Sequence, residues 1–187
     1  MNIVVYCGAS EGNSPIFKAA AVNLGEWIAQ NGYTLVYGGG KVGLMGLIAD
    51  TVLANGGEVI GVIPSFLVDR ELAHPNLTTL EIVDTMSTRK AKMLKLGDAC
   101  IALPGGPGTL EEITEVVSWA RVGQNDNPCI FLDVNGFYQP VKAMYDSMVD
   151  NGFLTQADRD KTLFSDSLSE IDGFIGSYEA PGVRQYK

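Results

Sequence analysis

Pro104-Gly105-Gly106-Pro107-Gly108-Thr109-Leu110-Glu111-Glu112 packs glycines, a hydroxyl and two carboxylates into one short stretch. Ala99-Cys100-Ile101-Ala102-Leu103 before it is a short apolar run that reads as a buried strand. After it, Leu110, Ile113, Val116, Val117 and Ala120 recur at helical spacing on one face. A glycine-rich turn from a strand end to a helix start is where open α/β sheets keep their ligand sites. Gly105, Gly106 and Gly108 lack Cβ atoms, so a phosphate can approach the backbone N–H groups and the positive end of the helix. Glu111 and Glu112 do not suit anion holding alone, because a carboxylate beside an anion costs electrostatic energy unless it performs chemistry or is capped. The spacing has a second reading. Thr109 and Glu112 form a T-x-x-E capping box, each side chain satisfying a backbone N–H of the other residue.

Other chemistries find less support. Gly38 to Gly43 matches G-x-G-x-x-G between a strand and a helix. A dinucleotide fold also wants an acidic residue at the end of the next strand, and that strand ends in Ile63-Pro64, with Glu58 at its other end. A glycine turn there can still line a nucleotide cleft with the first one, while Gly46 reads as helix–strand packing. There is no G-x-x-x-x-G-K-[ST], which argues against a P-loop triphosphatase. Met86 to Leu96 carries Arg89, Lys90, Lys92 and Lys95 with no acidic residue. Lys92 and Lys95 read as a solvated basic face; Arg89 and Lys90 sit early, against the helix dipole, where meeting an anion compensates them. The arginine fork suits phosphate or a carboxylate such as Glu112. His74 stands alone in a polar loop without ligand-spaced companions, so no metal is expected. Ser10 lies in no G-x-S-x-G elbow and has no histidine partner, which disfavours a serine hydrolase.

P-G-G-x-G-T-x-x-E resembles the signature of the LOG family, the cytokinin riboside 5′-monophosphate phosphoribohydrolases. The resemblance takes in Cys7-Gly8-Ala9-Ser10, Gly38-Gly39-Gly40-Lys41-Val42-Gly43-Leu44-Met45-Gly46 and Met86-Ser87-Thr88-Arg89-Lys90-Ala91-Lys92-Met93, in order, over most of the chain. It implies hydrolysis of the N-glycosidic bond of adenosine-type 5′-monophosphates to free base and ribose 5-phosphate, as in an AMP nucleosidase, without a cofactor. It implies Arg89 and Glu112 as the catalytic pair, and Glu71, Lys90, Gly106, Pro107, Gly108, Thr109, Leu110, Glu111 and Ser118 as nucleotide contacts. The glycine-rich turns add Ser10, Gly39, Gly40 and Gly105 to the expected substrate contacts. Pro107 departs from relatives, which often carry tyrosine or another side chain there, and it removes one N–H from the cradle. Relatives have also carried a lysine decarboxylase label, but no lysine here is singled out for pyridoxal phosphate. The family fold also hosts carriers of nucleotide-like ligands, so a non-catalytic binding protein is the alternative.

The 187 residues suit one domain, and 46% hydrophobic with 19% charged residues suits a globular core. A net charge of −9 argues against nucleic acid polymers, which need a basic face, but leaves room for a small phosphorylated ligand. Cys7, Cys100 and Cys129 fall in apolar runs, an odd number that reads as reduced thiols. No run reaches membrane-spanning length and no signal pattern opens the chain, so a soluble cytoplasmic protein is expected. The resemblance implies a homodimer, and Val116, Trp119 and Val122 offer apolar surface for one beyond the core stripe.

The elements that must position these residues alternate. Strands are predicted at Ile3 to Cys7, Thr34 to Tyr37, Glu58 to Ile63, Leu77 to Val83, Ala99 to Leu103 and Cys129 to Asp133, with another near Leu163-Phe164. Between them, helices are predicted from Pro15, capped by Ser14, through Trp27 and Ile28 to a stop near Asn31-Gly32, then Leu44 to Asn55, Met86 to Leu96, Leu110 to Val122, Tyr138 to Val149, a short piece from Gln156, and Leu168 to Ile175. Ser65 to Asn76 reads as a polar loop. The alternation predicts a Rossmann-like, doubly wound parallel sheet with helices on both faces.

Overall fold

The first strand, β1 (Asn2–Tyr6), turns Ile3 and Val5 to one side and Val4 and Tyr6 to the other, and all four are buried. A strand needs apolar residues at every position only when helices cover both faces. In a computed structural model of the chain, which describes residues 1–70 and 72–183, β1 lies at the centre of a seven-stranded parallel sheet. On one flank follow β2 (Thr34–Tyr37), β3 (Glu58–Pro64) and β4 (Thr79–Val83), and on the other β5 (Ala99–Ala102), β6 (Cys129–Leu132) and β7 (Thr162–Ser165). The register sets Ile3 beside both Leu35 and Ala99.

Helices α1 (Pro15–Gln30) and α2 (Gly43–Ala54) follow β1 and β2, and α3 (Ser65–Val68) follows β3. Then come α4 (Met86–Leu96), α5 (Pro107–Ala120), α6 (Gln139–Asp150), α7 (Gln156–Arg159) and α8 (Leu168–Gly176). Leu24 and Ile28 of α1, Ile48 and Val52 of α2 and Ile171 of α8 bury one face of the sheet against Ile3, Val5, Leu35 and Ile101. Met93 of α4, Ile113 and Val117 of α5 and Tyr145 of α6 bury the other against Val4, Val36, Cys100 and Phe131. Each such side chain contributes roughly 1.5–3 kcal/mol. Cys7, Cys100 and Cys129 are free and buried. No helix among the described residues is long and apolar enough to cross a membrane.

Three segments differ from the sequence expectation. Helix α5 starts at Pro107, three residues before Leu110, with Gly106 as an extended N-cap that makes no side-chain bond. Proline is preorganised for the first helical position, where its missing N–H would have no intrahelical acceptor anyway. Thr109 and Glu112 therefore lie inside the helix, and the capping-box reading fails. The strand expected from Leu77 starts at Thr79, because Leu77 packs into the α1–α2 core instead. Ser65 to Asn76, expected as a polar loop, holds α3 and an antiparallel bridge between Gly40 and Ala73. Of the residues offered as surplus apolar surface on α5, Val116 is buried and Trp119 packs on the same core, leaving Val122 exposed.

Candidate active site

The strand order reverses at β1, which has β2 on one side and β5 on the other. Ligands of open α/β sheets lie beyond the carboxyl ends of the strands at such a point. Three turns leave those ends and are bonded to one another. The Gly8 N–H donates to the Pro104 carbonyl (3.3 Å), and the Leu44 and Met45 N–H groups donate to Ser10 and Gly8 carbonyls (both 3.4 Å). So close a contact requires Gly43, at φ +63°, because a Cβ there would stand 2.3 Å from the Ala9 carbonyl carbon.

Above the turns is a cleft of about 360 Å³. One end is the start of α5, with Gly106, Gly108 and Thr109. The first helical bond runs from the Leu110 N–H to the Gly106 carbonyl (3.2 Å), so the N–H groups of Gly106, Gly108 and Thr109 have no acceptor within the helix. They and the helix dipole make an anion site of this end. The floor is Cys7, Gly38, Arg89 and Glu112. The far end is apolar, with Val42, Met45, Ile63, Leu67, Leu72 and Met86.

Arg89 and Glu112 come from different helices, and Arg89 Nη2 donates to Glu112 Oε1 at 3.0 Å. Thr85 caps α4 by accepting the Thr88 N–H (3.1 Å), so Arg89 falls in the second turn and projects over Gly38. A Cβ on Gly38 would stand 2.4 Å from that Nη2. The pair is 8% and 7% exposed. Burial raises the Glu112 carboxyl above its ordinary range, Arg89 opposes that rise, and Glu111 adds to it. Glu112 is thus a carboxylate kept basic by desolvation and kept ionisable by its arginine. The Cys7 thiol beneath is pushed up by burial first and Glu112 second, which keeps it protonated. Arg89 Nε is buried with no hydrogen-bond partner among the described residues.

Several expected site residues meet here. Gly40, Arg89, Gly106, Gly108, Thr109, Glu111 and Glu112 line the cleft, with Pro107 at the first position of α5. Ser10 and Gly105 line an adjoining hollow that shares Gly8, Ala9 and Gly106 with it. Gly39, at φ +73°, backs the cleft against Ile63. Leu110 is an exposed residue of α5 outside the lining. Lys90 bonds Glu111 and Glu115 rather than facing the anion end, and these carboxylates raise its pKa, Glu111 most. Ser118 lines a separate hollow with Thr114, Val117, Arg121 and Tyr145. Nine residues at about 1.5 Å each carry it roughly 13 Å along α5 from Thr109. Glu71 lies outside the described residues. His74 is buried: its Nδ1 accepts the Asn76 N–H (3.2 Å), so Nε2 holds the proton and donates to Asp50 (3.0 Å). Gly38 was missed as a site residue, although its place after β2 signals it. The apolar end was missed as well, because its residues read as core or loop.

A family model described as possible lysine decarboxylase matches residues 45–172. A probable cytokinin riboside 5′-monophosphate phosphoribohydrolase of Oryza sativa subsp. japonica is 46% identical over 152 residues, 81% of this chain and 68% of that protein. The cytokinin riboside 5′-monophosphate phosphoribohydrolase of Rhodococcoides fascians is 41% identical over 181 residues, 96% of this chain and 90% of that one. Among solved structures, the molybdenum cofactor carrier protein of Chlamydomonas reinhardtii matches with a TM-score of 0.69 at 18% identity, over 94% of this chain and 95% of its own. At that identity the likeness is one of fold. No lysine lines the cleft among the described residues, so the residues present do not fit a decarboxylase that links its cofactor to a lysine.

Proposed function

The chain belongs to the LOG family, the cytokinin riboside 5′-monophosphate phosphoribohydrolases, and on that premise we propose that it hydrolyses the N-glycosidic bond of adenosine-type 5′-monophosphates at the Arg89–Glu112 cleft. The observation that carries this reading is a desolvated, arginine-paired carboxylate beside a helix N-terminus, in one cleft. The 5′-phosphate binds the N–H groups of Gly106, Gly108 and Thr109. The ribose then lies over the floor, with C1′ near Glu112. Breaking the C1′–N bond leaves the bonding pair on the base and positive charge on the sugar, and the Glu112 carboxylate stabilises that charge. Its raised basicity suits the second task, taking a proton from the attacking water. The water oxygen bonds to C1′, giving ribose 5-phosphate, and the water proton held by Glu112 passes to the nitrogen of the departing base, which leaves neutral while the carboxylate is restored. Arg89 holds Glu112 ionised and aims it. A carrier role has fold likeness alone behind it and leaves the buried ion pair without a task.

AMP is therefore expected to be cleaved, and adenosine to be a poor substrate. Charge-assisted bonds are worth about 1.5–3 kcal/mol, so loss of the phosphate should lower kcat/KM at least about tenfold. Chromatography of released adenine measures both. Equal turnover of AMP and adenosine would remove the phosphate from the α5 end of the cleft.

We also propose a homodimer. Leu110 and Val122 of the α5 region and Met144 of α6 are exposed apolar side chains that a second copy would cover. Light scattering at micromolar concentration should give twice the chain mass; a monomer there rejects the dimer.

A further inference from the structure

The carboxyl end of β5 is held from behind by the crossover that follows β6. Pairing between β5 and β6 ends at Ala102 beside Phe131, so the Leu103 carbonyl lies one residue past the ladder. Leu103 is fully buried, and a buried carbonyl without a donor is costly. A side chain supplies the donor: the Tyr138 hydroxyl donates to the Leu103 carbonyl at 2.7 Å. On the other flank, the Leu103 N–H donates to the Tyr6 carbonyl of β1 (2.9 Å). Pro104-Gly105-Gly106 follows at once. These two bonds therefore set the direction in which the chain enters the turn that presents the Gly106, Gly108 and Thr109 N–H groups.

Tyr138 is itself held in place. After β6 the chain makes a 3-10 turn, Val134–Gly136, in which Asn135 (φ +53°) and Gly136 (φ +74°) both take left-handed backbone. Buried Asp133 fixes the return of the chain: its Oδ1 accepts the Tyr138 N–H (2.6 Å) and its Oδ2 accepts from the Gln139 side chain. The Tyr138 ring is 2% exposed and meets Phe131 and Phe137 edge-on, with centroids 5.0 and 4.9 Å away. Burial first, then Cys7 and Asp133, hold the phenol well above its ordinary pKa, so it stays a protonated donor. The turn it braces has little slack. Proline fixes φ at position 104, and the Pro104 carbonyl accepts the Gly8 N–H (3.3 Å). A Cβ on Gly105 would stand 2.2 Å from Thr109 Oγ1 and 2.9 Å from the Gly8 nitrogen. A shift of the Leu103 carbonyl is therefore passed on to the start of α5 rather than absorbed.

We infer that Tyr138 is a positioning residue for the 5′-phosphate: it stands outside the lining of the cleft, and its bond to Leu103 sets the turn from which the α5 N–H groups meet the anion. This rests on the phosphate placement proposed above. The brace acts on the anion end alone, so its loss weakens what the phosphate adds to binding and leaves the sugar and base contacts in place.

The test measures calorimetric binding of AMP and of adenosine, and kcat/KM for AMP, in the parent, Tyr138→Phe, Asp133→Ala and Tyr145→Phe proteins. Tyr138→Phe keeps the ring against Phe131 and removes only the hydroxyl. Its binding preference for AMP over adenosine should fall about fivefold, the scale of one hydrogen bond, through AMP alone. Its kcat/KM for AMP should fall by the same factor, mainly through KM, and its melting temperature by about 2–4 °C. Asp133→Ala frees the Tyr138 N–H and should move the preference the same way, which decides the matter if Tyr138→Phe does not fold. Tyr145→Phe alters another buried tyrosine packed on Phe131 and should keep the parent preference. A lower melting temperature with an unchanged AMP preference, or equal losses on both ligands, would reduce Tyr138 to a structural role and overturn the inference. A parent that binds AMP no better than adenosine would remove the phosphate from the α5 end, and the brace's task with it. A parent that prefers AMP but does not cleave it would sink the phosphoribohydrolase reading, while the brace would still stand or fall on the binding preference.

Discussion

The Glu112→Gln protein is expected to fold, to bind AMP and to lose turnover by roughly two orders of magnitude or more, the scale for removing one preorganised electrostatic group. Helix α5 begins at Pro107, so Glu112 lies beyond its first turn and the substitution touches no cap. The amide oxygen can still accept from Arg89 Nη2, now at 3.0 Å from Oε1. What disappears is the negative charge facing the ribosyl cation and the base for the water. Stability should fall by less than about 3–5 kcal/mol, the cost of stripping one partner from a buried pair. Burial makes the ionised Glu112 costly to fold, and the amide removes that cost, while Arg89 loses its counter-charge. Rate should also rise with pH through a limb above the ordinary glutamate value of about 4.3, because burial raises this carboxyl and the ionised form is the active one. That limb should be absent from the residual activity of the variant. Glu111→Gln, about 100° around the helix, removes an exposed partner of Lys90 and should cost less than about threefold, on the scale of a surface ion pair. Ribose 5-phosphate release, a thermal melt and AMP calorimetry decide the matter. Hydrolysis by Glu112→Gln near the parent rate would leave the proposed chemistry without its central residue.

Much of this frame is legible in the sequence because each element carries its own punctuation. Ser14-Pro15 opens α1 and Asn31-Gly32 closes it, with Gly32 at φ +67°. Thr34–Tyr37 and Met86–Leu96 stand where their patterns predict them. The arginine fork of Arg89 had two suitors, phosphate and Glu112, and the fold brings the carboxylate to it. What the sequence hides is choice of partner between separate elements. Lys90 read as an anion contact, but Glu111 and Glu115 share one side of α5 and take its ammonium first. Pro107 read as a gap in the phosphate cradle, and at the first helical position it does withhold one of the N–H groups that a helix start leaves for an anion, while preorganising that turn. The apolar end of the cleft was hidden for a different reason. Leu67 and Leu72 are scattered among charged residues without period, and the Gly40–Ala73 bridge brings Leu72 to the cleft.

Arg89→Gln is expected to cost about two orders of magnitude in turnover at neutral pH, on the scale of one buried charge-assisted group, and to regain part of it as pH rises. The reason lies in the balance at Glu112. Burial raises its pKa, and Arg89 is the largest influence holding it down. Without the guanidinium the carboxyl rises further, and more of it is protonated and inactive at neutral pH. The acid limb of the pH–rate profile should therefore move to higher pH than in the parent. Recovery stays partial, because the donors of Arg89 are gone as well. Stability follows the same sign. A raised folded-state pKa means the folded chain keeps a proton that the unfolded chain has already released. Stability is then greatest below the unfolded carboxyl value and falls as pH rises towards the folded one. Arg89→Gln widens that window upward, so its melting-temperature deficit against the parent should be smallest at and below the ordinary glutamate value of about 4.3 and grow toward neutrality. Removing one partner of a buried pair costs about 3–5 kcal/mol if the other stays charged, and protonation of Glu112 limits that loss. Arg89→Lys, with charge but no fork, should fall between the two proteins in both profiles. A parent-like acid limb in Arg89→Gln would mean that Arg89 does not govern the ionisation of Glu112, and that its contact at 3.0 Å serves packing instead.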